Sequence, residues 1–412
     1  METKRRIRAM GQRGFTLVEV MIGLLIGLVG IIVIMQTFAV SEGYKRTATS
    51  GTDAQVNGSL ALYLLEREIR LAGFGMNSLV PTGCTVVRIW NDKTGTGADM
   101  RMVPFEINPA GIPAGDPNTD VILIAYGTSD NFVTGVPANQ VSNSSANFVV
   151  DQNRTAFHQG DLVIAVQPGA GPGGSTSCVL NELTGVPGTG GNCGSPPTGK
   201  SNELIHNTGQ YKNPNANCQM VSPTYNNASG IKDANGNTVP ALDSTSGGQL
   251  FDIGALPQIK IYAIRGGNLT VCDMLAQDCT NTANYAIMVN DVVSMRAVYG
   301  KDTDANGVVD SWDRNAITNS TEAMSVLAAA VEITSRSGVK EKPTAGPACD
   351  TTADAARPDR GQTADWYADV DNQPASLAAA QIDLSTVSAD WQCYRYKLFQ
   401  TSVPLRNMIW RP

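Results

Sequence analysis

From Phe15 to Met35 the chain is apolar at nearly every position, and Glu19 is the one charged residue in the run. That is long enough to cross a bilayer as a helix, which takes about 20 apolar residues. Farther on, apolar positions recur at helical spacing: Leu62, Leu65, Ile69 and Ala72 share one face, while Glu66, Arg67 and Arg70 point elsewhere. Gly73 and Gly75 then supply a stop. The two stretches predict one helix from Phe15 to Ala72, about 87 Å long at 1.5 Å per residue. Its first half suits lipid and its second half suits the face of a sheet.

A strand pattern follows. Val121–Tyr126 and Asp161–Val166 are short β-branched runs. Gln258–Ile264 and Ser294–Tyr299 alternate polar and apolar residues, as half-exposed antiparallel strands do. Val331–Ser335 and Tyr394–Thr401 continue that habit, and the Ala-rich stretch Glu322–Ala330 fits helix or strand. Between about 167 and 250, Gly, Pro, Asn, Ser and Thr dominate, which predicts a loop-rich surface insertion. The expected class is α+β: a long N-terminal helix over residues 15–73, membrane-spanning in its first part, packed on an antiparallel sheet. Residues 74–412 then form a β-rich globular domain carrying the insertion.

Charge refines this picture. Residues 1–14 hold Lys4, Arg5, Arg6, Arg8 and Arg13 against Glu2, a balance of +4. The rest of the chain carries −11 once that +4 is taken from the total of −7. Basic residues ahead of an apolar span keep the N-terminus cytoplasmic and send the remainder outward. An acidic body disfavours nucleic acid as a partner, because phosphate binding needs clustered Lys and Arg. All eight cysteines (Cys84, Cys178, Cys193, Cys218, Cys272, Cys279, Cys349 and Cys393) lie beyond the span. An even count on one side of a membrane segment predicts disulfides formed in an oxidising periplasm. Eight cysteines allow 105 pairings; short loops favour Cys272 with Cys279 and Cys178 with Cys193.

The N-terminal run does not end in the small-x-small site and polar sequence of a secretory signal peptide. A plain anchor would not carry Glu19, since a carboxylate in hydrocarbon costs about 2.5–3.5 kcal/mol on insertion scales. Gly14-Phe15-Thr16-Leu17-Val18-Glu19 resembles the signal of type IV pilins and type II secretion pseudopilins. That resemblance implies cleavage between Gly14 and Phe15 by a membrane prepilin peptidase, removal of residues 1–14, and N-methylation of Phe15. It also implies that Glu19 pairs with the Phe15 amine of a neighbouring subunit during assembly. Many major pilins have a proline part-way along the helix; this span has none, and Gly23, Gly27, Gly30 and Gly43 are its points of weakness. Leu65-Glu-Arg-Glu-Ile-Arg-Leu-Ala-Gly-Phe74 and Thr401-Ser-Val-Pro-Leu-Arg-Asn-Met-Ile-Trp410 are similar to the PilW family of minor pilins. Membership implies a low-abundance subunit of a priming complex at the pilus tip. Its partners would be other minor pilins, the major pilin and a large tip adhesin, and it would be anchored in the inner membrane of a Gram-negative cell.

Asp302-Thr-Asp-Ala-Asn-Gly-Val-Val-Asp-Ser-Trp-Asp313 has the ligand spacing of an EF-hand-like loop. Asp302, Asp304 and Asn306 would offer side-chain oxygens and Val308 its carbonyl, Asp310 would act directly or through water, and Asp313 would close the loop around one Ca2+. The alternative is an acidic surface turn. A shorter echo, Asp233-Ala-Asn-Gly-Asn237, reads as a hairpin turn. His158 and His206 are the only histidines, no catalytic or phosphate-binding motif stands out, and both are read as surface residues of a protein without catalysis. Two other functions stay open: a type II secretion pseudopilin, and a calcium-dependent adhesin mounted on a pilin helix.

Overall fold

A computed structural model describes residues 14–91, 96–130, 134–142, 146–150, 157–171, 174–186, 193, 202–227, 239, 241–341, 343, 346, 348–353 and 382–409. The leader before Gly14, the Asp233–Asn237 echo and Trp410 lie outside the described residues.

The predicted helix is continuous over Leu17–Leu71, 55 residues or about 83 Å. Thr16 starts it: the Glu19 amide donates to Thr16 Oγ1, and the Thr16 amide donates back to Glu19 Oε2 at 3.1 Å. This reciprocal pair satisfies amides that have no partner within the helix. Leu17–Lys45 is not buried anywhere along its length. The second half is different: Ala54, Ala61, Leu65, Ile69 and Ala72 are fully buried at helical spacing. Ala61 holds the place expected for Leu62, which is only partly buried, and Glu68 is buried as well.

This half lies on a four-stranded antiparallel sheet ordered Ser311–Asp313, Val292–Lys301, Val326–Arg336 and Tyr396–Pro404. Beside it is a five-stranded antiparallel sheet: Ala286–Val289, Asn268–Asp273, Gln258–Arg265, Val121–Tyr126 and Phe105–Ile107. One core joins them to the helix, with Leu65 and Ile69 meeting Phe105, Ile124, Tyr262, Met295 and Val331. The other face of the five-stranded sheet carries Leu123, Ala125, Ile259 and Ile261. These pack on Ile164, Val166, Leu180 and Phe251 of a third, eight-stranded sheet. The five-stranded sheet is therefore a middle layer, and that is why Val121–Tyr126 is apolar at every position.

The layering corrects several readings. Ser294–Tyr299 alternates in sequence, yet the strand it belongs to, Val292–Lys301, is buried on both faces, and Ser294 and Arg296 sit on the covered far side. There Asp120 takes the place of a neighbouring strand. Its amide donates to the Met295 carbonyl at 2.8 Å, and its carboxylate accepts from the Ala297 amide and pairs with Arg296 and Arg314. Gln258–Arg265 is likewise mostly buried. The span 167–250 is not only surface loop: Ser177–Glu182 is a fully buried strand between Val86–Asn91 and Leu162–Gln167. The ambiguous Ala-rich stretch is split in two, the helix Ser320–Ser325 capped by Asn319, then the strand Val326–Arg336.

All eight cysteines are paired, as Cys84–Cys178, Cys193–Cys218, Cys272–Cys279 and Cys349–Cys393. The Cys272–Cys279 pairing agrees with the short-loop expectation; Cys178–Cys193 does not. The strand bearing Cys178 runs beside Val86–Asn91, with Arg88 opposite Val179, and this brings Cys178 to Cys84 instead.

Candidate functional site

Gly14, Phe15 and Thr16 precede the helix, and Phe15 is 85% exposed. Glu19 lies one turn in, where the Thr16 hydroxyl and amide donate to its carboxylate at 3.0 and 3.1 Å. The capping box thus holds the carboxylate at the end of the helix nearest Phe15. Beyond it Val18, Leu25, Ile31 and Met35 are each more than half exposed. An apolar surface of this extent requires lipid or other helices around it.

The head grips the helix through close contacts. Ser335 Oγ donates to the Ala54 carbonyl at 2.7 Å. One turn on, a Cβ at Gly58 would lie 2.1 Å from the Phe399 ring, so only glycine allows this approach. Buried Glu68 accepts from Tyr126 OH at 2.9 Å and lies 3.4 Å from Lys260 Nζ, tying the helix to the five-stranded sheet. At the helix end, Asn407 Nδ2 reaches the carbonyls of Arg70, Leu71 and Ala72 at 3.4, 3.2 and 3.1 Å. These are the orphan acceptors that every helix C-terminus leaves. Met408 packs on Gly73, which has φ +77°. Replacing Asn407 with leucine should therefore lower stability by about 1 kcal/mol, a typical net value for a hydrogen bond, as read by thermal unfolding. Unchanged unfolding would mean that solvent caps the helix equally well.

Residues 9–35 match the prokaryotic N-terminal methylation motif. Residues 262–407 match the family described as Type IV Pilus-assembly protein W, a span running from the middle sheet to the asparagine that closes the helix. These two matches support a type IV minor pilin of the PilW family. Among solved structures it is similar to a type IV-like pilin from Thermus thermophilus, at 14% identity over 37% of this chain and 68% of that one, with a TM-score of 0.20. No curated protein matches the chain. The N-terminal methylation motif implies processing by a prepilin peptidase and assembly with other pilus components.

The pilin's acidic loop connects Val292–Lys301 to Ser311–Asp313, and Lys301 stands opposite Ser311. Asp302, Asp304 and Asp310 each bring one carboxylate oxygen within 4.8 Å of the others. Gly307, at φ +86°, makes the sharp turn and donates its amide to Asp302 Oδ2 at 2.8 Å. Asn306 Oδ1 accepts from the Val308 amide at 2.8 Å. Asp313 stands apart from the three acids, paired with Lys301 Nζ at 2.8 Å. Three of the predicted ligands thus converge and the closing one does not.

The histidines divide. His158 is exposed, with Nδ1 3.4 Å from Asp161 Oδ2. His206 is buried, contrary to expectation, and stacks on Phe148 at 4.0 Å between ring centres. Burial pushes its pKa down to about 4. The strand Glu203–Ile205 pairs with Asn147–Val150 and carries His206 onto that ring, a contact far from local in sequence.

Proposed function

We propose that this minor pilin helps to initiate the type IV pilus as part of a priming complex at the filament tip. The observation that carries the reading is the division of one helix: Leu17–Lys45 is wholly exposed, and from Ala54 onward it is clamped to the head. One rigid element thereby links a membrane or filament core to the globular domain. The eight-stranded sheet argues for a terminal position, since it adds a lobe beside the pilin core. A tip subunit meets fewer lateral neighbours than one within a shaft. The partners proposed are other minor pilins and the major pilin through their N-terminal helices, with a large tip adhesin above. The basic leader and the four disulfides support an inner-membrane anchor with the head in the periplasm before assembly. Deletion of the gene should abolish surface pili and leave type II secretion intact. The opposite result would favour the pseudopilin reading, and pili that persist but fail to bind host or glycan ligands would favour the adhesin.

In that assembly Glu19 would pair with the Phe15 amine of the next subunit. Glu19→Ala should still be cleaved but should fall at least about tenfold in sheared pili, because stranding one charge of a buried pair typically costs about 3–5 kcal/mol. Undiminished recovery would remove Glu19 from the assembly step.

We also propose one structural Ca2+ in the acidic loop, held by Asp302, Asp304 and Asp310, with Asn306 and the Val308 carbonyl completing the oxygen set. Asp313 would act on it only if it released Lys301. Three carboxylates this close repel one another, and a hard cation relieves that repulsion. The Asp302 amide donates to the Ser325 carbonyl at 2.8 Å, so ordering the loop would also fix the start of Val326–Arg336. Calcium at a hundredfold excess over Kd should stabilise the fold by about 2.7 kcal/mol. Chelation should lower the melting temperature of the mature protein, magnesium should substitute badly, and Asp302→Ala with Asp304→Ala should abolish the response. Identical melting with calcium and with chelator would leave an acidic turn.

A further inference from the structure

The seam between the middle sheet and the eight-stranded sheet opens into a cleft of about 270 Å³. Glu182 lines it from one sheet and Asp273 from the other, together with Tyr225, Asn213, Leu256 and Gln258. Glu182 is built in: Tyr211 OH donates to Oε1 at 2.6 Å and the Thr224 amide donates to Oε2 at 2.7 Å. Asp273 Oδ1 accepts the Leu275 amide at 2.9 Å. Tyr225 crosses the seam, its hydroxyl donating to the Leu275 carbonyl at 2.9 Å. Its phenol is pushed up to about 12, first by burial and then by the Glu182 and Asp273 charges. No Lys, Arg or His is among the described residues that line the cleft.

We propose that this cleft binds an organic cation, a primary ammonium or guanidinium on a short apolar stem. The two carboxylates supply the counter-charge from facing sheets, and the Tyr225 ring supplies a surface that attracts cations. Leu256 and the neighbouring prolyl and alanyl surface take the stem. The volume suits a short amine rather than a bare metal ion, and a ligand there would bridge the two lobes. One chemistry has two sources here, a free small amine or a basic side chain of a partner protein.

The test uses the mature full-length protein in detergent, titrated calorimetrically with cadaverine, N-acetyl-lysine methylamide and, as a neutral control, 1,5-pentanediol. Cadaverine should bind and the diol should not. Asp273→Asn should weaken cadaverine at least about tenfold. Ala276→Phe, at an exposed position on the rim, should block the cleft without disturbing the fold. Binding of the lysine amide as well identifies a partner's side chain as the source, and binding of cadaverine alone identifies a free amine. The proposal is overturned if neither amine binds, if the diol binds equally, or if the variants bind as tightly as the wild type. The comparison of amine with diol decides the matter on the wild-type protein alone.

Discussion

Processing should stop when Gly14 is replaced by valine. The structure leaves Gly14 and Phe15 outside the helix and open to solvent, with Thr16 as the cap that begins it. The junction therefore lies outside the helix, where a peptidase can reach its backbone. The resemblance to prepilins implies an enzyme that accepts only a small residue before the cut, and a β-branched side chain at 14 would be refused. Intact mass of the Gly14→Val protein should show the leader retained, with neither a free nor a methylated Phe15 terminus. The uncut precursor should stay in the membrane and be missing from sheared pili. A mature species starting at Phe15 would defeat this expectation.

A second large effect is expected at the clamp between helix and head. Glycine inside a helix normally costs about 1 kcal/mol relative to alanine, so Gly58 would be a weakness if nothing pressed on it. A Cβ there would come within 2.1 Å of the Phe399 ring and 2.5 Å of Ser335 Oγ, and Ser335 is fully buried and bonded to Ala54. Gly58→Leu should therefore push the helix from Val326–Arg336 and Tyr396–Pro404. Overpacking of this kind costs about 1–3 kcal/mol, and more where the neighbours cannot move. Thermal unfolding of the mature protein should shift down by about 1–4 °C. Gly51 is the control: a Cβ there meets nothing within 4 Å, so Gly51→Ala should gain helix propensity and raise the melting temperature slightly. If the two variants unfold alike, the close approach at Gly58 is not what holds the helix down.

The helix was legible because its signals are local. An apolar run and a stripe at Leu65, Ile69 and Ala72 each lie within one stretch of chain. The prepilin junction belongs to the same class, since Gly14, Phe15 and Glu19 are fixed by sequence adjacency alone. Strand positions were legible for a similar reason, as hydrogen-bonded extended chain favours β-branched residues wherever the strand finally lies. Layer number was not legible. The alternation of Ser294–Tyr299 announces two unlike faces, but only the packing decided that the face with Ser294 and Arg296 would be covered and tied to Asp120.

The same limit explains the disulfides, His206 and the acidic loop. Loop entropy favours short pairings and found Cys272–Cys279. It missed Cys84–Cys178 because strand neighbours, not loop length, set which thiols meet across a separation of 94 residues. His206 lies in polar, turn-rich sequence, and it became buried because Phe148 arrives from another part of the sheet. In the acidic loop the spacing set where Asp302, Asp304 and Asp310 stand, since one turn of backbone carries all three. Asp313 was redirected by Lys301 within the hairpin that its own strand completes. The sequence by itself thus determined the long helix with its apolar first half, the motif Gly14-Phe15-Thr16-Leu17-Val18-Glu19 and the acidic turn, which rest on interactions over a few residues. The tertiary structure decided which polar groups are buried, which cysteines pair and which charges meet, because those depend on contacts between segments that the chain's order leaves unspecified.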